Sequence, residues 1–597
     1  MNSKTIAELF VSITNTFSES SKPAYRYKEN MQYVDVSFSE LRSTVQKLSY
    51  AFHSLGLQKG NKVALLSENR YEWVLSDFAL SSLGIISVPL FTSVTPAQIE
   101  YILNDCSASA VIVSNQMLFG KVAKILPNCQ SVKNIVSFAE LSDEKVRSLN
   151  DLLQYELKEK TEEQLTLWFE QQSSNIEEND ILTLIYTSGT TGEPKGVLLT
   201  NKNVLSNIRS ILSIISVTNQ DTFLSYLPLA HAYERTTGYY SSFASGATTA
   251  FAESIETVAT NIQETNPTIL TSVPRLFDKI LAKMEKAFEK ESPLKQRMIH
   301  KAVSIGLQHF HASQQNKVSI VLHWKYLLAE KIILQKIRAK LSPTIRLFVS
   351  GGASLSQKSA EFFLGLGYLI LEGYGLTESS PVLSVNRPND IEIGTVGKPL
   401  PGVTIKLAED GEIVASGDNI MVGYYNRPED TAITIVDGTW LATGDIGQWT
   451  KRGNLQIIDR KKNLIISKGG KNIAPQPIEQ KIGEIPIVDQ IIVLGDNQEY
   501  CIALIVPDFN ELEALATSIA VANLSKDQLV KETAILQTIS KQIDQQQKDF
   551  SKYERVRKFA LLTEPFTVEN GELTPKLSIK RSVVEKKYKQ TIESLYR

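Results

Sequence analysis

Apolar and polar positions along the first part of the chain follow two alternating patterns. In FSELRSTVQKLSYAFHSLG and over residues 72–83, apolar residues recur three and four positions apart, whereas KVALLS and IISVPLF are short and almost wholly apolar. The wider spacing indicates helices, and the short runs indicate buried strands. Helices and strands that alternate at this interval are typical of β-α units around a parallel sheet. We therefore predict an α/β amino-terminal domain.

The pattern changes in three later parts of the chain. Residues 275–340 are mostly strong helix formers with apolar residues three and four apart, which predicts a helical insertion. Residues 156–180 are charged, rich in Gln and weakly periodic, and we interpret them as a surface connection. Beyond Asp418, short β-prone pieces alternate with glycine turns.

The length of the chain predicts at least two domains, because single hydrophobic cores stop growing well below 597 residues. A charged, glycine-bounded crossing at 459–462 indicates a boundary between a large domain, residues 1–459, and a smaller one, residues 460–597. Hydrophobic residues make up 42% and charged residues 21% of the chain, as in ordinary globular proteins. This composition excludes disordered and collagen-like classes.

Charge and cysteine content exclude further classes. Lys and Arg number 63 against 65 Asp and Glu, so the molecule projects no strong field toward nucleic acid, and no nucleic-acid partner is predicted. The three cysteines, Cys106, Cys129 and Cys501, are far apart and have neither metal-ligand spacing nor the density of a disulfide framework. This usage favours a reducing cytoplasm. The sequence does not predict an oligomeric state.

No segment of the sequence has the pattern of a membrane span or a signal peptide. The most apolar stretch, residues 78–91, is interrupted by Ser81, Ser82, Gly84 and Pro89, and it falls short of the roughly 20 apolar residues of a spanning helix. The amino terminus alternates polar and apolar residues at helical spacing, so we expect a helix of the mature protein there. Peripheral contact with a membrane stays an open alternative.

The most informative segment is YTSGTTGEPKG, residues 186–196. Glycine amides and hydroxyl groups in close succession can surround phosphate oxygens, and Lys195 adds a positive charge. In a Walker-type loop the lysine precedes Ser or Thr and a helix follows, whereas Gly196 and the β-like run VLLT follow in this chain. The loop is therefore predicted to join two strands, which disfavours a kinase or a Walker-type ATPase. A flexible Gly/Ser/Thr turn is the alternative interpretation.

Five segments in this order resemble the signature motifs of the adenylate-forming superfamily, which includes acyl-CoA synthetases, luciferases and the adenylation domains of peptide synthetases. They are YTSGTTGEPKG, SGGASL at 350–355, EGYGLTESSP at 372–381, TGD at 443–445 and DRKKNLIISKGGKNIAP at 459–475. The resemblance implies a large multi-sheet α/β AMP-binding domain and a small mobile α+β carboxy-terminal domain with a hinge at Lys462. It also implies two half-reactions: a carboxylate attacks the α-phosphorus of ATP and expels pyrophosphate, and a thiolate then displaces AMP.

Matching these motifs residue by residue gives the predicted site. Thr377 supplies a hydroxyl for the α-phosphate, and Glu378 supplies a carboxylate ligand for Mg²⁺, which bridges phosphate oxygens. Tyr374 offers an aromatic face for adenine, Asp445 accepts from the ribose hydroxyls, and Arg460 brings a fixed charge. The other nucleotide contacts are assigned to Lys195, Thr187, Ser188, Gly189, Thr190, Thr191, Gly192, Gly352, Ala353, Gly373 and Gly375, and the contacts on the thiol side to Gly469 and Gly470.

Two of these residues also have a plainer interpretation. Tyr374 between two glycines fits a tight turn with a core tyrosine. A surface carboxylate such as Asp445 is usually only solvated. The assignments therefore depend on the order of the five motifs rather than on any single residue.

The carboxy terminus departs from the family pattern. Relatives of the long-chain type usually end in a run like LTPTxKxKR, whose first lysine supports adenylation, whereas residues 573–581 read LTPKLSIKR and place Ser578 in that slot. If the segment is extended, the side chains of Lys576, Ser578 and Lys580 share one face at a spacing of about 7 Å. We expect Lys576 or Lys580 to supply the charge at the α-phosphate. A catalytically impaired nucleotide-binding homologue is the alternative.

Two further segments, LPLAHAYERTTGYYSSFASGATTAFAES at 227–254 and SVPRLFDKI at 272–280, resemble the bacterial long-chain fatty acyl-CoA synthetases. The resemblance implies a fatty acid and coenzyme A as substrates; an acyl carrier protein as the thiol acceptor is the alternative. His231 is predicted to orient the carboxylate, and Tyr239 to line an acyl channel with neighbouring aromatic residues. A hydrogen-bonded structural histidine and an ordinary aromatic core are the competing interpretations.

Overall fold

The computed structural model describes residues 2–155, 160–187, 193–521, 524–567, 569–573 and 579–597. The chain forms two compact units. The larger unit consists of Met1–Lys406, Val414–Thr443 and Trp449–Gln456, and the smaller unit of Leu407–Ile413, Gly444–Gln448 and Ile457–Arg597. The chain therefore passes between the units several times before it enters the smaller one for good at Ile457.

The strands occur along the whole chain and are numbered in chain order. Up to residue 400 they are β1 Tyr25–Glu29, β2 Gln32–Val36, β3 Lys62–Leu66, β4 Ile86–Leu90, β5 Ala110–Val113, β6 Asn134–Ser137, β7 Val146–Ser148, β8 Ile181–Thr187, β9 Lys195–Thr200, β10 Thr222–Ser225, β11 Thr248–Phe251, β12 Ile269–Ser272, β13 Leu347–Ser350, β14 Leu369–Gly375, β15 Val382–Val385 and β16 Lys398–Pro399. Beyond it they are β17 Val403–Leu407, β18 Glu412–Gly417, β19 Gly423–Tyr424, β20 Ile435–Val436, β21 Trp440–Trp449, β22 Leu455–Arg460, β23 Ile465–Ile466, β24 Asn472–Ile473, β25 Val488–Leu494, β26 Cys501–Pro507 and β27 Val556–Leu561.

The α-helices are numbered in the same way. They are α1 Ile6–Thr16, α2 Phe38–Ser54, α3 Tyr71–Ser82, α4 Pro96–Asp105, α5 Gln116–Ala123, α6 Leu149–Tyr155, α7 Glu162–Ser174, α8 Asn201–Ile214, α9 Ser241–Ala244, α10 Val258–Thr265, α11 Pro274–Glu289, α12 Pro293–Gln314, α13 Ile320–Ala329, α14 Gln335–Leu341, α15 Gln357–Gly365, α16 Pro428–Thr434, α17 Pro475–Gly483, α18 Phe509–Ser518, α19 Lys526–Leu529, α20 Thr533–Gln546, α21 Arg581–Lys587 and α22 Lys589–Tyr596. Within the described ranges, no helix combines the length and apolarity needed to cross a membrane.

Two large sheets organise the larger unit. One has nine strands in the order β16-β15-β14-β13-β12-β10-β11-β1-β2, and the other has eight in the order β19-β9-β8-β4-β3-β5-β6-β7. The central strands of both sheets are parallel, for example β12, β13 and β14 in the first and β4, β3 and β5 in the second. The α/β architecture with parallel sheets, predicted from the alternating patterns, is confirmed.

The smaller unit has its own core. Strand β26 pairs antiparallel with β25 and parallel with β27. Buried residues of α17, α18 and α20 form one hydrophobic cluster with this sheet, through Ile482, Leu512 and Ile539 among others. This arrangement is the α+β type expected for the carboxy-terminal part of the chain.

The helical insertion predicted for residues 275–340 is present as α11 to α14, which lie between β12 and β13. The amino-terminal helix is also present as α1, whose buried residues Ile6, Leu9, Phe10 and Ile13 follow the predicted spacing. In both places long runs of residues with good helix propensity carry a clear three- and four-residue apolar period, and local pattern and tertiary burial agree.

Residues 156–180 are not a purely irregular surface connection, because helix α7 occupies Glu162–Ser174. The helix begins at Thr161, whose hydroxyl accepts from Gln164 N at 3.3 Å while Thr161 N donates to the Gln164 side chain at 3.1 Å. This reciprocal capping box fixes the first turn. Only Leu165 and Phe169 are buried hydrophobic residues on the helix. So short an apolar stripe among Glu and Gln residues was too weak to identify the helix from the sequence.

A buried ion pair lies in the core of the larger unit. The guanidinium of Arg235 pairs with the carboxylate of Asp77, and both side chains are almost wholly buried. Arg235 also donates to Ser87 Oγ at 2.8 Å and to Thr183 Oγ1 at 2.7 Å, and Tyr240 Oη donates to Asp77 at 2.6 Å. These partners belong to α3, β4 and β8. The π-helix Glu234–Tyr240 is thereby tied to the eight-stranded sheet and to a helix packed with it.

Next to this pair, the buried carboxyl of Glu234 gives the folding free energy a pH dependence. Burial raises the pKa of Glu234 from 4.5 to about 7, although Thr271 Oγ1 donates to it at 2.7 Å. The folded state holds the Glu234 proton more tightly than the unfolded state does. Protonated Glu234 therefore contributes its full share to the free energy of unfolding below the unfolded pKa, and that share is lost as the pH rises through 7. Between about pH 5 and about pH 8, we expect the free energy of unfolding of the wild type to fall by about 2 kcal/mol relative to that of Glu234→Gln, because the glutamine has no proton to release.

Tryptophan fluorescence during urea unfolding measures this effect in the relevant part of the molecule, because all five tryptophans belong to the larger unit. Comparison with Glu234→Gln at each pH cancels the titration of other groups. A stability difference that stays constant across the range would contradict the assignment of a raised pKa to Glu234.

Candidate active site

The predicted adenine segments lie at the carboxyl ends of two adjacent parallel strands. The loop that carries Gly352 and Ala353 follows β13, and Tyr374 lies near the end of β14. Leu355 N donates to Glu372 Oε2 at 3.3 Å, which holds the loop against β14. Gly352 and Ala353 are exposed, and Tyr374 is half-buried. The carboxyl edge of parallel strands is where α/β sheets usually bind ligands, and the structure brings all three residues to it.

Strand β14 contains two glycines with different surroundings and a buried carboxylate, Glu372. A Cβ on Gly375 would lie 1.8 Å from Pro381 O, so any side chain there would displace the backbone of the neighbouring segment. At Gly373 a Cβ would meet only ordinary contacts, the nearest at 3.5 Å. Burial raises the pKa of Glu372 to about 7, although its carboxylate accepts from backbone amides. The neighbouring backbone therefore lies too close for a side chain at Gly375 but not at Gly373.

Strands β8 and β9 flank the predicted phosphate loop and pair antiparallel, with Thr187 opposite Lys195. Thr187 Oγ1 donates to the carbonyl of Lys195 at 3.5 Å. Strand β9 continues to Thr200 before α8 begins, so the prediction that this loop joins two strands is confirmed. The loop residues themselves lie outside the described residues; they are Ser188, Gly189, Thr190, Thr191 and Gly192.

Lys195 and Glu378 both contact the side chain of Tyr424. Tyr424 Oη donates to Glu378 Oε1 at 2.8 Å, and Lys195 Nζ lies 5.2 Å from the centroid of the Tyr424 ring. Lys195 Nζ also pairs with Asp430 Oδ1 at 2.5 Å. Each of the two charged side chains in this pair is about one third exposed. A cation and two carboxylates are thus assembled beside the exit of the predicted phosphate loop.

Backbone pairing fixes this cluster in place. Strand β19 pairs antiparallel with β9, which sets Tyr424 opposite Val197. Met421 N donates to the carbonyl of Glu378 at 2.9 Å, and Glu378 lies in the 3₁₀ turn Thr377–Ser379 that follows β14. Burial and then the Glu378 carboxylate raise the pKa of Tyr424. The tyrosine therefore stays protonated and remains a hydrogen-bond donor to Glu378.

The sequence did not point to Tyr424 or Asp430. Both lie in the segment GYYNRPED, about 50 residues beyond Glu378 and well over 200 beyond Lys195. The only local signal was a tyrosine pair followed by Pro and two acidic residues. Their contacts with Lys195 depend on the pairing of β19 with β9, which is a long-range feature of the fold.

The two predicted acyl-side residues have different surroundings. His231 lies in the turn after β10, where its Nδ1 accepts from Tyr233 N at 3.1 Å and its ring lies 6.2 Å, edge on, from Phe91. Tyr239 is fully buried and stacks on Tyr240 with ring centroids 4.5 Å apart. Tyr239 belongs to the main core cluster of the larger unit, which is the location expected of an ordinary core residue.

In the smaller unit, Asp445 and Arg460 lie together. Arg460 Nε is 3.4 Å from Asp445 Oδ1, the arginine side chain is about half exposed and the aspartate is buried. Burial lowers the pKa of Lys462, and the charge of Arg460 acts in the same direction. Asp459 Oδ1 accepts from Arg460 N at 2.7 Å and so fixes the backbone at this point. The structure brings these two predicted ribose and phosphate contacts to one place.

Gly469 and Gly470 form the turn between the short strands β23 and β24. Gly470 has φ +72, a conformation that favours glycine, and a Cβ there would meet no atom within 4 Å. Ser467 closes the turn, since its carbonyl accepts from Gly470 N at 2.8 Å. The backbone of this turn is open to the approach of a ligand.

At the carboxy terminus, Lys580 immediately precedes α21, and its backbone N donates to the carbonyl of Glu572 at 2.8 Å. Leu573 and Ile579 face each other in an antiparallel bridge. Lys576 and Ser578 lie outside the described residues. Their predicted common face with Lys580 is therefore not described by the structure.

Within the part of the chain that the structure describes, no group of three or more His, Cys, Asp and Glu side chains is arranged to hold a metal ion. The assignment of Glu378 as a Mg²⁺ ligand stays a prediction from the sequence. Mg²⁺ at nucleotide sites commonly takes one or two carboxylates and completes its shell with water and phosphate oxygens.

Comparisons with known proteins agree with these features. The model of the AMP-binding enzyme family matches residues 16–425, and the model of the AMP-binding enzyme C-terminal domain matches residues 462–597. The chain is 31% identical to the long-chain-fatty-acid–CoA ligase FadD15 of Mycobacterium bovis over 568 residues, which cover 94% of this chain and 92% of the relative. It is 30% identical to the long-chain-fatty-acid–CoA ligase 5 of Mus musculus, over 95% of this chain and 85% of the relative.

Solved structures share the fold over nearly the whole chain. The crystal structure of the anthranilate CoA ligase AuaEII in complex with anthranoyl-AMP has a TM-score of 0.74 and 21% identity, and covers 99% of this chain and 98% of that one. The O-succinylbenzoate CoA synthetase of Bacillus subtilis in complex with AMP has a TM-score of 0.67 and 21% identity, and covers 96% and 97%. The family and fold predicted from the motifs are confirmed, and the chain belongs to the AMP-binding enzyme family.

Proposed function

We propose that this chain is an ATP-dependent, AMP-forming ligase that activates a long-chain fatty acid as an acyl-adenylate and then transfers the acyl group to coenzyme A. The observation that carries the proposal is the meeting of Lys195 and Glu378 around Tyr424, beside a strand-to-strand loop rich in glycine and hydroxyl groups. It occurs in a chain whose curated relatives over more than nine tenths of its length are named long-chain-fatty-acid–CoA ligases.

The carboxyl edge of β13 and β14 fits a purine nucleotide. Gly352 has φ +82 and is exposed, and Gly375 allows two backbone segments to approach more closely than any side chain would permit. Tyr374 lies beside these residues with part of its side chain accessible. In this proposal, adenine binds against Tyr374, with Gly352, Ala353 and Gly373 around it.

The phosphates are bound by Thr187, by the loop residues 188–192 and by Thr377, and Lys195 supplies a positive charge. Glu378 would hold Mg²⁺, a cation that neutralises phosphate charge when it is bound. Attack of a carboxylate on the α-phosphorus requires charge neutralisation and in-line positioning more than covalent participation of the protein. The chain's own contribution is to orient the phosphates through the backbone of the loop and to fix Glu378 through Tyr424.

The remaining roles in the proposal are divided between the two units. Asp445 and Arg460 bind the ribose and the phosphate, and Gly469 and Gly470 face the thiol. Residues 1–459 form the adenylation domain and residues 460–597 a movable domain with its hinge at Lys462. In the larger unit, His231 orients the fatty carboxylate and the acyl chain runs along apolar side chains, whereas Tyr239 lies in the core.

Exchange of labelled pyrophosphate into ATP tests the first half-reaction. The purified protein is incubated with ATP, Mg²⁺ and palmitate, and coenzyme A or a holo acyl carrier protein is then added. We expect pyrophosphate exchange with the fatty acid, followed by acyl-CoA, AMP and pyrophosphate as products. Formation of ADP would rule out the mechanism, absence of exchange with every fatty acid would overturn the function, and acylation of the carrier protein without acyl-CoA would replace the acceptor.

The lysine that completes the site is tested by Lys576→Ala and Lys580→Ala, made separately. We expect one of them to slow adenylate formation by about tenfold or more, because a positive charge near the α-phosphate stabilises the transition state. Lys586→Ala, an exposed lysine on α21, serves as the matched control. Single-turnover measurement of acyl-adenylate separates this step from thioester formation. Undiminished rates in both variants would reject the assignment.

A further inference from the structure

Helix α13 presents an apolar face to solvent. Ile320 is 79% exposed and Trp324 67% exposed. Three neighbours on the same side of the helix are also exposed, at one, seven and eight residues beyond Ile320. We call this face the apolar stripe; it consists of Ile320, Val321, Trp324, Leu327 and Leu328.

The apolar stripe is not needed to hold α13 in place. The opposite side of the helix packs inward through Tyr326, whose ring stacks on His309 with centroids 4.0 Å apart, and through the buried Ala329. The Glu330 carboxylate next to it is held by Arg338. Contiguous apolar surface that the fold itself does not use marks an interaction site in soluble proteins.

The chain segment that contains the apolar stripe is rich in basic residues. Residues 293–340 contain nine Lys and Arg side chains and a single acidic one, Glu330, whereas the whole chain has 63 basic and 65 acidic residues. Glu330 is already paired with Arg338. Lys325 and Lys331 are exposed on the helix itself and at the turn that follows it. The nine basic residues are Lys295, Arg297, Lys301, Lys317, Lys325, Lys331, Lys336, Arg338 and Lys340.

This combination selects the kind of partner. An exposed apolar face with a tryptophan and flanking lysines is the pattern of helices that lie in the plane of a membrane interface. Clustered basic side chains are attracted by the negative surface potential of anionic lipids. Interfaces between proteins, in contrast, are depleted in lysine. Charge and composition therefore favour a lipid surface over a second copy of this chain.

We propose that the apolar stripe, together with Lys325 and Lys331, docks this protein on the surface of an anionic phospholipid bilayer. The helix lies along the interface, with Trp324 at the level of the headgroups and the two lysines against lipid phosphates. This inference is independent of the ligase chemistry, because it rests on side chains outside the proposed active site.

Cosedimentation with vesicles tests the docking directly. The full chain is mixed with vesicles of phosphatidylglycerol and phosphatidylcholine in equal parts, and with vesicles of phosphatidylcholine alone. We expect partitioning to the anionic vesicles, and Trp324→Ser/Leu328→Ser is expected to weaken it at least about tenfold, because the removed side chains no longer bury apolar area. Met117→Ser/Leu167→Ser, which replaces two exposed apolar side chains elsewhere on the larger unit, should leave it unchanged.

The role of charge is tested with Lys325→Gln/Lys331→Gln. We expect this variant to bind anionic vesicles about tenfold more weakly, because each lysine near the surface contributes to attraction by anionic lipid. Lys124→Gln/Lys133→Gln, two exposed lysines on another part of the larger unit, is the matched control. Raising the salt concentration should weaken the binding of the wild type to anionic vesicles. It should also reduce the difference in binding between Lys325→Gln/Lys331→Gln and its control.

Depth is measured by quenching of tryptophan fluorescence with brominated lipids. We expect quenching in the wild type that Trp324→Phe removes. Urea midpoints and pyrophosphate exchange, both measured without vesicles, should be unchanged in the stripe and lysine variants, which shows that these variants are folded. If the wild type itself shows no pyrophosphate exchange, the proposed function fails, but the vesicle-binding result is still valid.

Three outcomes would overturn the docking proposal. The first is no binding of the wild type to anionic vesicles. The second is equal binding of the wild type and Trp324→Ser/Leu328→Ser. The third is a wild type that sediments as a dimer, does not bind vesicles, and dissociates when this substitution is made. In that case a second copy of this chain, and not a membrane, would cover the apolar stripe.

Discussion

Replacing Glu378 with glutamine is expected to lower the rate of adenylate formation by about 10²–10³-fold. Glutamine keeps the shape of the side chain and can still accept from Tyr424 Oη, which lies 2.8 Å from the carboxylate in the wild type. It loses the negative charge that a hard divalent cation requires. The measurement is pyrophosphate exchange with palmitate over a series of Mg²⁺ concentrations. We expect the Mg²⁺ concentration that gives the half-maximal rate to be higher for Glu378→Gln than for the wild type.

Glu429→Gln is the matched control for this substitution. Glu429 is an exposed carboxylate on α16, next to the Asp430 that pairs with Lys195. Its neutralisation changes the net charge of the same region without touching the proposed metal ligand, so we expect a rate close to that of the wild type. An exchange rate for Glu378→Gln within about threefold of the wild type would contradict the role of Glu378, since removal of one electrostatic contact in a site of this kind costs far more.

Asp77→Asn is expected to destabilise the larger unit by about 3–5 kcal/mol, because it leaves the buried guanidinium of Arg235 without a counter-charge. Ser87 Oγ, Thr183 Oγ1 and Tyr240 Oη still accept hydrogen bonds from Arg235 but carry no charge. The free energy of unfolding is measured in urea by tryptophan fluorescence, which reports on the larger unit.

Asp35→Asn provides the comparison for the buried pair. Asp35 also pairs with an arginine, Arg26 at 2.7 Å, but its side chain is 55% exposed. Exposed ion pairs contribute about 1 kcal/mol or less, so we expect little change in stability from this substitution. Equal effects of the two substitutions would show that burial does not govern the strength of the Asp77 pair.

Most of the fold could be predicted because local pattern and tertiary structure agree in it. The α/β alternation, the helical block of α11 to α14 and the strand after Lys195 are each encoded by nearby residues. Helix α7 was missed because only two of its buried residues are hydrophobic, and its capping box at Thr161 is a weak signal among many polar residues.

The candidate site was predicted in part, for a physical reason. Tyr374 and Glu378 lie within short motifs that could be matched to the family by their order along the chain. Tyr424 and Asp430 reach Lys195 only through the pairing of β19 with β9, which no local periodicity encodes. The aromatic segment around Tyr239 carries the same letters whether it lines a channel or fills a core, and only its burial in the structure distinguishes the two.

The ion pair between Lys195 and Asp430 has a consequence for the form of nucleotide that this site prefers. The lysine is already compensated, and the nearby Glu378 adds one more negative charge, so these described groups together are slightly anionic. A bare triphosphate would meet repulsion from them rather than attraction. A nucleotide that arrives with its own divalent ion carries less negative charge, so under the proposed function we expect the metal complex to be the species that these groups favour.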